Sequence, residues 1–228
     1  MRPSAWTRAP AIALVLLASF IPLHSMLADD WPVVYVVMLF WFDALLLIAF
    51  NAVRILMAPA AGYCSASVVL IVGYAGATLV FFGGLALAYG FILAQIFGGE
   101  VTSHGIVSGP DVALEVMESM LADPGVAWSA LAILAVHLLS FVAYSRTRES
   151  WTAAEPGRLF DLPMRRLVVL HVGIVLGGAV LIMLAPPVVA AAVLLAGKTV
   201  SDLRALSLEA AVREMAASPA RSPAHGRR

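Results

Sequence analysis

Charged residues and cysteine are scarce in this chain. Only 12% of its 228 residues are charged and 62% are hydrophobic, whereas a soluble domain is about a quarter charged. Cysteine occurs once, at Cys64, and lysine occurs once, at Lys198. A single cysteine excludes an internal disulfide and a metal site built from several cysteines. The net charge is zero, so bulk charge gives no argument for binding nucleic acid.

Familiar sequence motifs for chemistry are also missing. The chain has no HExxH zinc motif, no phosphate-binding P-loop and no GxSxG nucleophile motif. The sequence therefore names no catalytic residue and no cofactor. Whether the protein is an enzyme stays open at this point.

Long apolar runs are what the sequence has instead. Six of them are long enough to cross a bilayer core of about 30 Å as helices. They predict an all-α, polytopic membrane protein with a six-helix transmembrane domain over residues 1–206. A partly disordered tail is expected over residues 207–228. The predicted spans cover residues 9–27, 32–57, 67–97 and 125–145, with two more between 164 and 206.

The first and the last two apolar runs have features that bear on how they cross the membrane. Arg2 and Arg8 precede the first run as they would in a signal peptide, but the cleavage pattern before Ala28 is poor. The first run is therefore interpreted as an uncleaved span. Pro186–Pro187 predicts a tight turn between the fifth and sixth spans, because proline cannot continue a helix. One unbroken helix there would be about 60 Å long, twice the core thickness.

Basic residues are distributed on one side of the predicted topology. All 14 lysines and arginines fall in the loops or helix ends that six spans place on the inner side. These inner segments are residues 1–8, 54–66, 146–166 and 198–228. The outer segments, residues 28–32, 98–124 and 186–187, contain none. Because positive charge marks the cytoplasmic side, both termini are expected to be cytoplasmic.

Two further segments have informative patterns. In the outer segment, Val112, Val116 and Met120 recur at helical spacing, which predicts an amphipathic helix over residues 111–122 on the outer surface. The third span contains several glycines. They favour either close packing at the centre of the bundle or simple tolerance of glycine. These glycines are Gly73, Gly76, Gly83, Gly84 and Gly90.

Seven polar residues interrupt the apolar spans and form the candidate site. Such groups are costly in a membrane and usually serve pairing or function. They are expected to face the bundle interior, mostly in its cytoplasmic half, with Asp43 deeper. Lys198 and Asp202 have the i, i+4 spacing of a helical ion pair. Structural pairing, snorkelling and interhelical hydrogen bonds could also explain them. The seven are Asp43, Asn51, Arg54, His137, His171, Lys198 and Asp202.

Three functions fit this pattern. A structural or partner-binding membrane protein is favoured, because six spans leave little protein outside the membrane. A small-solute or proton-coupled transporter is the second, with the polar residues facing a cavity. A metal-dependent intramembrane enzyme using His137, His171 and an aspartate is the third, although spacing cannot confirm the ligands. The lipid bilayer is the one partner expected; a homo-oligomer or a membrane partner stays open.

Four stretches resemble a known family. The chain is similar to the bacterial multi-pass membrane family called domain of unknown function 6498 over most of residues 33–206. The resemblance implies a location in the bacterial inner membrane and implies no activity. Family members carry histidines near an aromatic–glycine step in the third span. This chain has Ala88-Tyr89-Gly90 there and no histidine, so a metal held at that step is not expected. The matching stretches are WFD from 41 with Asn51 and Arg54, HLLSF from 137, LHVGIVLGG from 170 and GKTVSD from 197.

The topology can be checked by cysteine labelling. In a Cys64→Ser background, Ser108→Cys should react with a membrane-impermeant maleimide added from the outer side of intact cells. Ser150→Cys is the matched control and should react only after the membrane is permeabilised, because it lies in a basic inner loop. The reverse pattern would overturn the predicted orientation.

Overall fold

The computed structural model describes residues 5–57, 65–98, 110–145 and 160, and then 193, 195–200 and 203. Nearly all of these residues are helical and none of them is in a strand. The helices are α1 Ala5–Ala28, α2 Val33–Leu56, α3 Ser65–Ala77, a π-helical segment Thr78–Gly83, α4 Gly84–Phe97, α5 Pro110–Ala122 and α6 Pro124–Ser145. The prediction of an all-α protein is thus confirmed for the described residues.

Three helices among the described residues are long and apolar enough to cross a membrane. They are Val33–Leu56, Val68–Phe97 and Pro124–Val142, and a shorter apolar stretch covers Val15–Ala28. The shorter stretch corresponds to the first predicted span, and the three long helices correspond to the second, third and fourth. The fifth span and the Pro186–Pro187 turn lie outside the described residues, as does most of the sixth span. The count of six spans and the orientation of the termini stay predictions.

Short polar connections set where the helices begin. Asp123 is the only residue between α5 and α6. Its Oδ1 accepts hydrogen bonds from the backbone amides of Gly125 at 2.8 Å and Val126 at 3.3 Å. Pro124 then occupies the first helical position, where a missing N–H costs nothing. This side-chain cap satisfies amides that the start of α6 would otherwise leave unpaired.

Two of the three segments that were predicted to lie outside, residues 28–32 and 98–124, meet at one end of the bundle in their described parts. Trp31, between α1 and α2, lies against Gly125 at the start of α6. The Tyr35 hydroxyl near the start of α2 forms a hydrogen bond with Ser119 of α5. Gly98, after α4, lies against Val116 of α5. Therefore α2 and α6 begin at this end and run in the same direction, whereas α1 and α4 end there.

Helix α2 is buried on two opposite faces, because it packs against α3, the π segment and α4 on one side and α6 on the other. At about 100° per residue, Trp41, Leu45 and Ile48 share the first face. Asp43 and Arg54 point roughly the opposite way, towards α6. One helix therefore carries an apolar packing surface and a polar surface back to back.

Trp41 and Gly90 form the closest packing between α2 and α4. The indole Nε1–H donates a 2.6 Å hydrogen bond to the carbonyl oxygen of Ala86. A Cβ atom added at Gly90 would overlap the indole ring. The other four glycines of this span, by contrast, would meet nothing within 4 Å. Close packing against Trp41 therefore explains the glycine at position 90. At the other four positions glycine is tolerated and is not required by packing, namely Gly73, Gly76, Gly83 and Gly84.

Replacement of Gly90 should be costly. In Gly90→Ala the new methyl group would overlap the Trp41 ring, and overpacking of this kind costs about 1–3 kcal/mol. We expect a lower free energy of unfolding in detergent and a lower melting temperature. Gly76→Ala is the matched control; it meets open space and should leave stability unchanged or slightly raised. Equal losses in both variants would contradict the packing account.

Candidate functional site

Asp43 is the residue around which the candidate site is built. It lies ten residues after Val33, or about 15 Å along the helix axis, which would place it near the middle of a bilayer core of about 30 Å if α2 crosses one. Its side chain is 19% exposed. A carboxylate at that depth must find a partner or take up a proton.

Two basic groups from other helices bind this carboxylate. His137 Nε2, from α6, lies 2.8 Å from Asp43 Oδ1. Lys198 Nζ, from the C-terminal helical residues, lies 3.2 Å from Asp43 Oδ2. The side chains of His137 and Lys198 are 7% and 15% exposed. One carboxylate therefore connects three separate parts of the chain. We call Asp43, His137 and Lys198 the central triad.

Aromatic rings pack around the His137 imidazole. The Phe50 ring lies nearly parallel to it, with an interplanar angle of 7° and centroids 5.9 Å apart. Phe141 packs against Phe50 with centroids 5.6 Å apart. Apolar rings exclude water from the imidazole, and charge interactions are stronger where water is excluded. The His137–Asp43 contact is therefore sensitive to any change of charge on either partner.

A second polar contact joins α2 and α6 one turn further along α6. Arg54 Nη2 donates a 2.9 Å hydrogen bond to Ser140 Oγ. Arg54 is only 7% exposed, and Asn51 beside it on α2 is 1% exposed. Helical side chains point back towards the helix start, which brings the guanidinium closer to the level of His137. The polar surface between α2 and α6 thus extends from Asp43 to Arg54.

Thr199 anchors the C-terminal helical residues to α1. Its Oγ1 lies 2.7 Å from Ser19 Oγ and 2.7 Å from the carbonyl oxygen of Leu195. Ser19 in turn donates to the carbonyl oxygen of Val15 at 3.1 Å. Leu195 is buried in the main hydrophobic core. Residues 195–200 therefore contact α1 through Thr199 and α2 through Lys198, which fixes the position of the lysine.

The sequence-predicted residues are brought together only in part. Asp43 contacts His137 and Lys198, while Arg54 and Asn51 lie further along α2. An ion pair of Lys198 with Asp43 is described, and the possible pairing of Lys198 with Asp202 is untested. His171 and Asp202 lie outside the described residues, so the seven-residue site stays a prediction. Sequence reasoning missed the packing role of Phe50 and the contacts of Ser140, Thr199 and Ser19.

The missed residues carried weak signals. Ser140 lies one turn after His137 on the same helix, which was the one hint of its involvement. Phe50 is an ordinary apolar residue of an apolar span, and nothing in the sequence marks it. Ser19 and Thr199 are separated by 180 residues. Small hydroxyl residues are common in membrane helices, where they form interhelical hydrogen bonds, so their pairing could not be predicted.

Metal chemistry has little support among the described residues. They contain no group of three or more histidine, cysteine, aspartate or glutamate side chains that could hold a metal ion. Asp43 and His137 would supply two ligands, and the third neighbour is the Lys198 ammonium, which has no lone pair to donate. The remaining proposed ligand, His171, lies outside the described residues. The contacts described within the central triad are a hydrogen bond and an ion pair.

The ion pair can be tested by comparing single and double substitutions. Asp43→Asn should lower the free energy of unfolding by up to about 3–5 kcal/mol, because it removes one partner of a largely buried ion pair. Asp43→Asn combined with Lys198→Met should recover most of that loss, because the buried charge is then removed. Both are measured by denaturant unfolding in detergent. Asp111→Asn, on the exposed start of α5, should change stability by less than about 0.5 kcal/mol. A double variant that is less stable than Asp43→Asn would contradict the pairing.

Comparison with known proteins gives one match. A family model described as a family of unknown function (DUF6498) matches residues 1–222, nearly the whole chain. No curated protein and no solved structure matches the chain. The resemblance seen in the sequence is thereby confirmed.

Proposed function

We propose that this chain, which belongs to the DUF6498 family of unknown function, is a multi-pass membrane protein. In this proposal it couples the movement of a small solute to the movement of protons. The central triad is the proposed proton-binding site. The observation that carries this proposal is one half-buried carboxylate held by a histidine and a lysine from two other helices, near the middle of an apolar helix.

The cost of the triad supports a functional role. Ionisable groups inside a membrane are expensive, and they commonly mark proton relays and ion pathways. A buried ion pair is a poor way to gain stability, because apolar residues of similar size are often as stable or more so. Histidine is the side chain whose charge ordinarily changes between pH 5 and 8. A carboxylate, an imidazole and an ammonium therefore suit proton exchange better than simple helix packing.

The geometry links protonation to helix contacts. An ionised Asp43 accepts from His137 Nε2 through Oδ1 and from Lys198 Nζ through Oδ2. A proton placed on either oxygen removes the negative charge that attracts both basic groups. The attraction of α2 to α6 and to residues 195–200 then weakens in one step. In the proposed cycle, deprotonated Asp43 holds the three parts together, and protonated Asp43 lets them separate so that a solute can pass.

A structural or partner-binding role is the second candidate. It is favoured by the short described connections, which leave little protein outside the helices. Four residues, Asp29 to Pro32, join α1 to α2, and Asp123 alone joins α5 to α6. In that role the central triad only fastens helices. The protein would lie in the inner membrane, with both termini cytoplasmic and with a further membrane protein or a second copy as partner. This candidate predicts that triad substitutions change stability and nothing else.

Reconstitution into liposomes separates the two candidates. Purified protein is placed in vesicles with a pH-sensitive dye inside, and a panel of small organic anions, cations and neutral solutes is added outside. We expect the wild-type protein to move protons with at least one solute class. The Asp43→Asn, Lys198→Met double variant should fold but lose proton movement by about tenfold or more, because a neutral amide cannot exchange the proton.

The matched control is Asp111→Asn, which should retain full proton movement. Wild-type vesicles that move no protons with any solute class would refute the transport proposal. Full proton movement in the double variant would refute the role of the triad. Loss of stability in triad variants, without any wild-type flux, would leave the structural candidate.

A further inference from the structure

The helix that packs on the apolar face of α2 is interrupted by a π-helical segment. Residues Thr78–Gly83 form about one such turn between α3 and α4. A short π segment acts as one residue inserted into an α-helix, and such insertions occur frequently at functional sites. Its inward residues are fully enclosed, because Thr78 is 0% and Phe82 is 2% exposed.

The inserted residue keeps the buried face of this long helix in line. In a regular helix of about 100° per residue, Gly90 would be turned about 100° away from Ile71. The wider π turn contains one extra residue, which cancels this rotation of about 100° between Ile71 and Gly90. Ile71 therefore lies buried against Ile55, and Gly90 lies against Trp41, on the same side of one helix.

The π segment contacts α2 directly behind the central triad. Phe82 packs with Ile48 of α2 and Ala86 of α4 in one buried cluster. Ile48 and Asp43 lie on roughly opposite faces of α2 and are separated by little more than one turn. A change in the position of α2 at Asp43 therefore moves the surface against which the π segment packs.

The same segment has an open outer side and an aromatic neighbour. Val80 is 78% exposed and Phe81 is 59% exposed, and Gly83 would meet nothing within 4 Å of an added Cβ. On the inner side the Phe160 ring lies 5.3 Å from the Phe82 ring and 5.6 Å from the Tyr74 ring, between centroids. Phe160, which belongs to the predicted inner segment 146–166, is helical and packed here.

We propose that the π segment is the joint at which α3 turns relative to α4 when the central triad changes protonation. Conversion of the π turn to α-helix would rotate one flank by about 100° and shift it by about 1.5 Å. Helix α4 cannot be that flank, because Trp41 leaves no room for any residue but glycine at position 90. The moving part is α3, which contacts α2 through the small cluster Ile55, Ile71 and Ala75. This inference rests on the proposed proton-coupled function.

Two single-residue deletions test the joint. Deletion of Val80 removes the extra residue and leaves a regular helix in which Ile71 and Gly90 still share a face. We expect it to fold with a melting temperature at or above that of the wild type. Deletion of Leu87 is the matched control, since Leu87 is likewise exposed at 59%. With the π turn kept, that deletion brings Phe91 to the place of Gly90 against Trp41; with the π turn converted to α-helix, it turns Ala86 about 100° away from Trp41 and breaks their hydrogen bond. The variant should lose stability strongly in either case.

Hydrogen–deuterium exchange in lipid nanodiscs measures the joint without any solute. In the wild type, amides of residues 76–84 should exchange about tenfold faster than those of residues 89–96, because a π turn opens more easily. Deletion of Val80 should abolish that difference. In vesicles the same deletion should lower proton movement by about tenfold, because α3 can no longer turn.

Each outcome decides a separate point. Equal exchange in the two wild-type segments, or equal instability of the two deletions, would overturn the joint. A stable Val80 deletion with full proton movement would overturn its role in transport while leaving the proposed function standing. A wild type that moves no protons refutes the proposed function, and the exchange pattern then still decides whether the segment opens.

Discussion

A carboxylate near the middle of an apolar helix is the constraint on which the rest of the bundle depends. Asp43 cannot stay ionised against lipid, so it must be enclosed and paired. Its two oxygens face partners from two directions, His137 on α6 and Lys198 in the C-terminal helical residues. Residues far apart in the chain are therefore brought to one level, and α2 becomes the central helix because it carries the carboxylate.

The opposite face of α2 is constrained by shape rather than charge. The Trp41 indole needs both the Ala86 carbonyl as acceptor and the absence of a side chain at Gly90. Dispersion contacts and a hydrogen bond are what hold helices together in lipid, where apolar burial gives no driving force between them. This contact does not depend on pH. Helix α2 therefore has one face with contacts between ionisable groups and one face where Trp41 forms a contact between uncharged groups.

Sequence reasoning reached the helical class and the polar residues, because both follow from strong and local signals. Long apolar runs predict helices in a membrane, and a charge inside such a run stands out. For Lys198 the sequence offered Asp202 as a possible partner, because only local spacing can be read from one sequence, and Asp202 lies outside the described residues. The ion pair of Lys198 with Asp43 joins residues 155 positions apart on different helices. Such pairings depend on how the helices assemble, which periodicity does not specify.

The role of Gly90 and the position of the π segment could not be predicted from the sequence either, because both depend on contacts between helices. The sequence shows five glycines in the third span with nothing to rank them, and the ring that singles out Gly90 comes from another helix. The π segment carries no sequence signal either, because TLVFFG reads as ordinary apolar helix. It becomes visible only when the buried faces before and after it are compared. What decides both features is the shape of the neighbouring helix.

The sizes of the packed clusters explain why a proton could move one part of the bundle and not another. Loss of a charge from a half-buried pair changes its interaction by a few kcal/mol at most, so only a weakly held element can respond. The main core joins α1, α2, α4, α5 and α6 through many large side chains. The fully buried cluster between α3 and α2 consists of Ile55, Ile71 and Ala75. This cluster is smaller than the main core, so in the proposed cycle the electrostatic change would act on the α3 contact while the large core and the Trp41–Gly90 contact stay fixed.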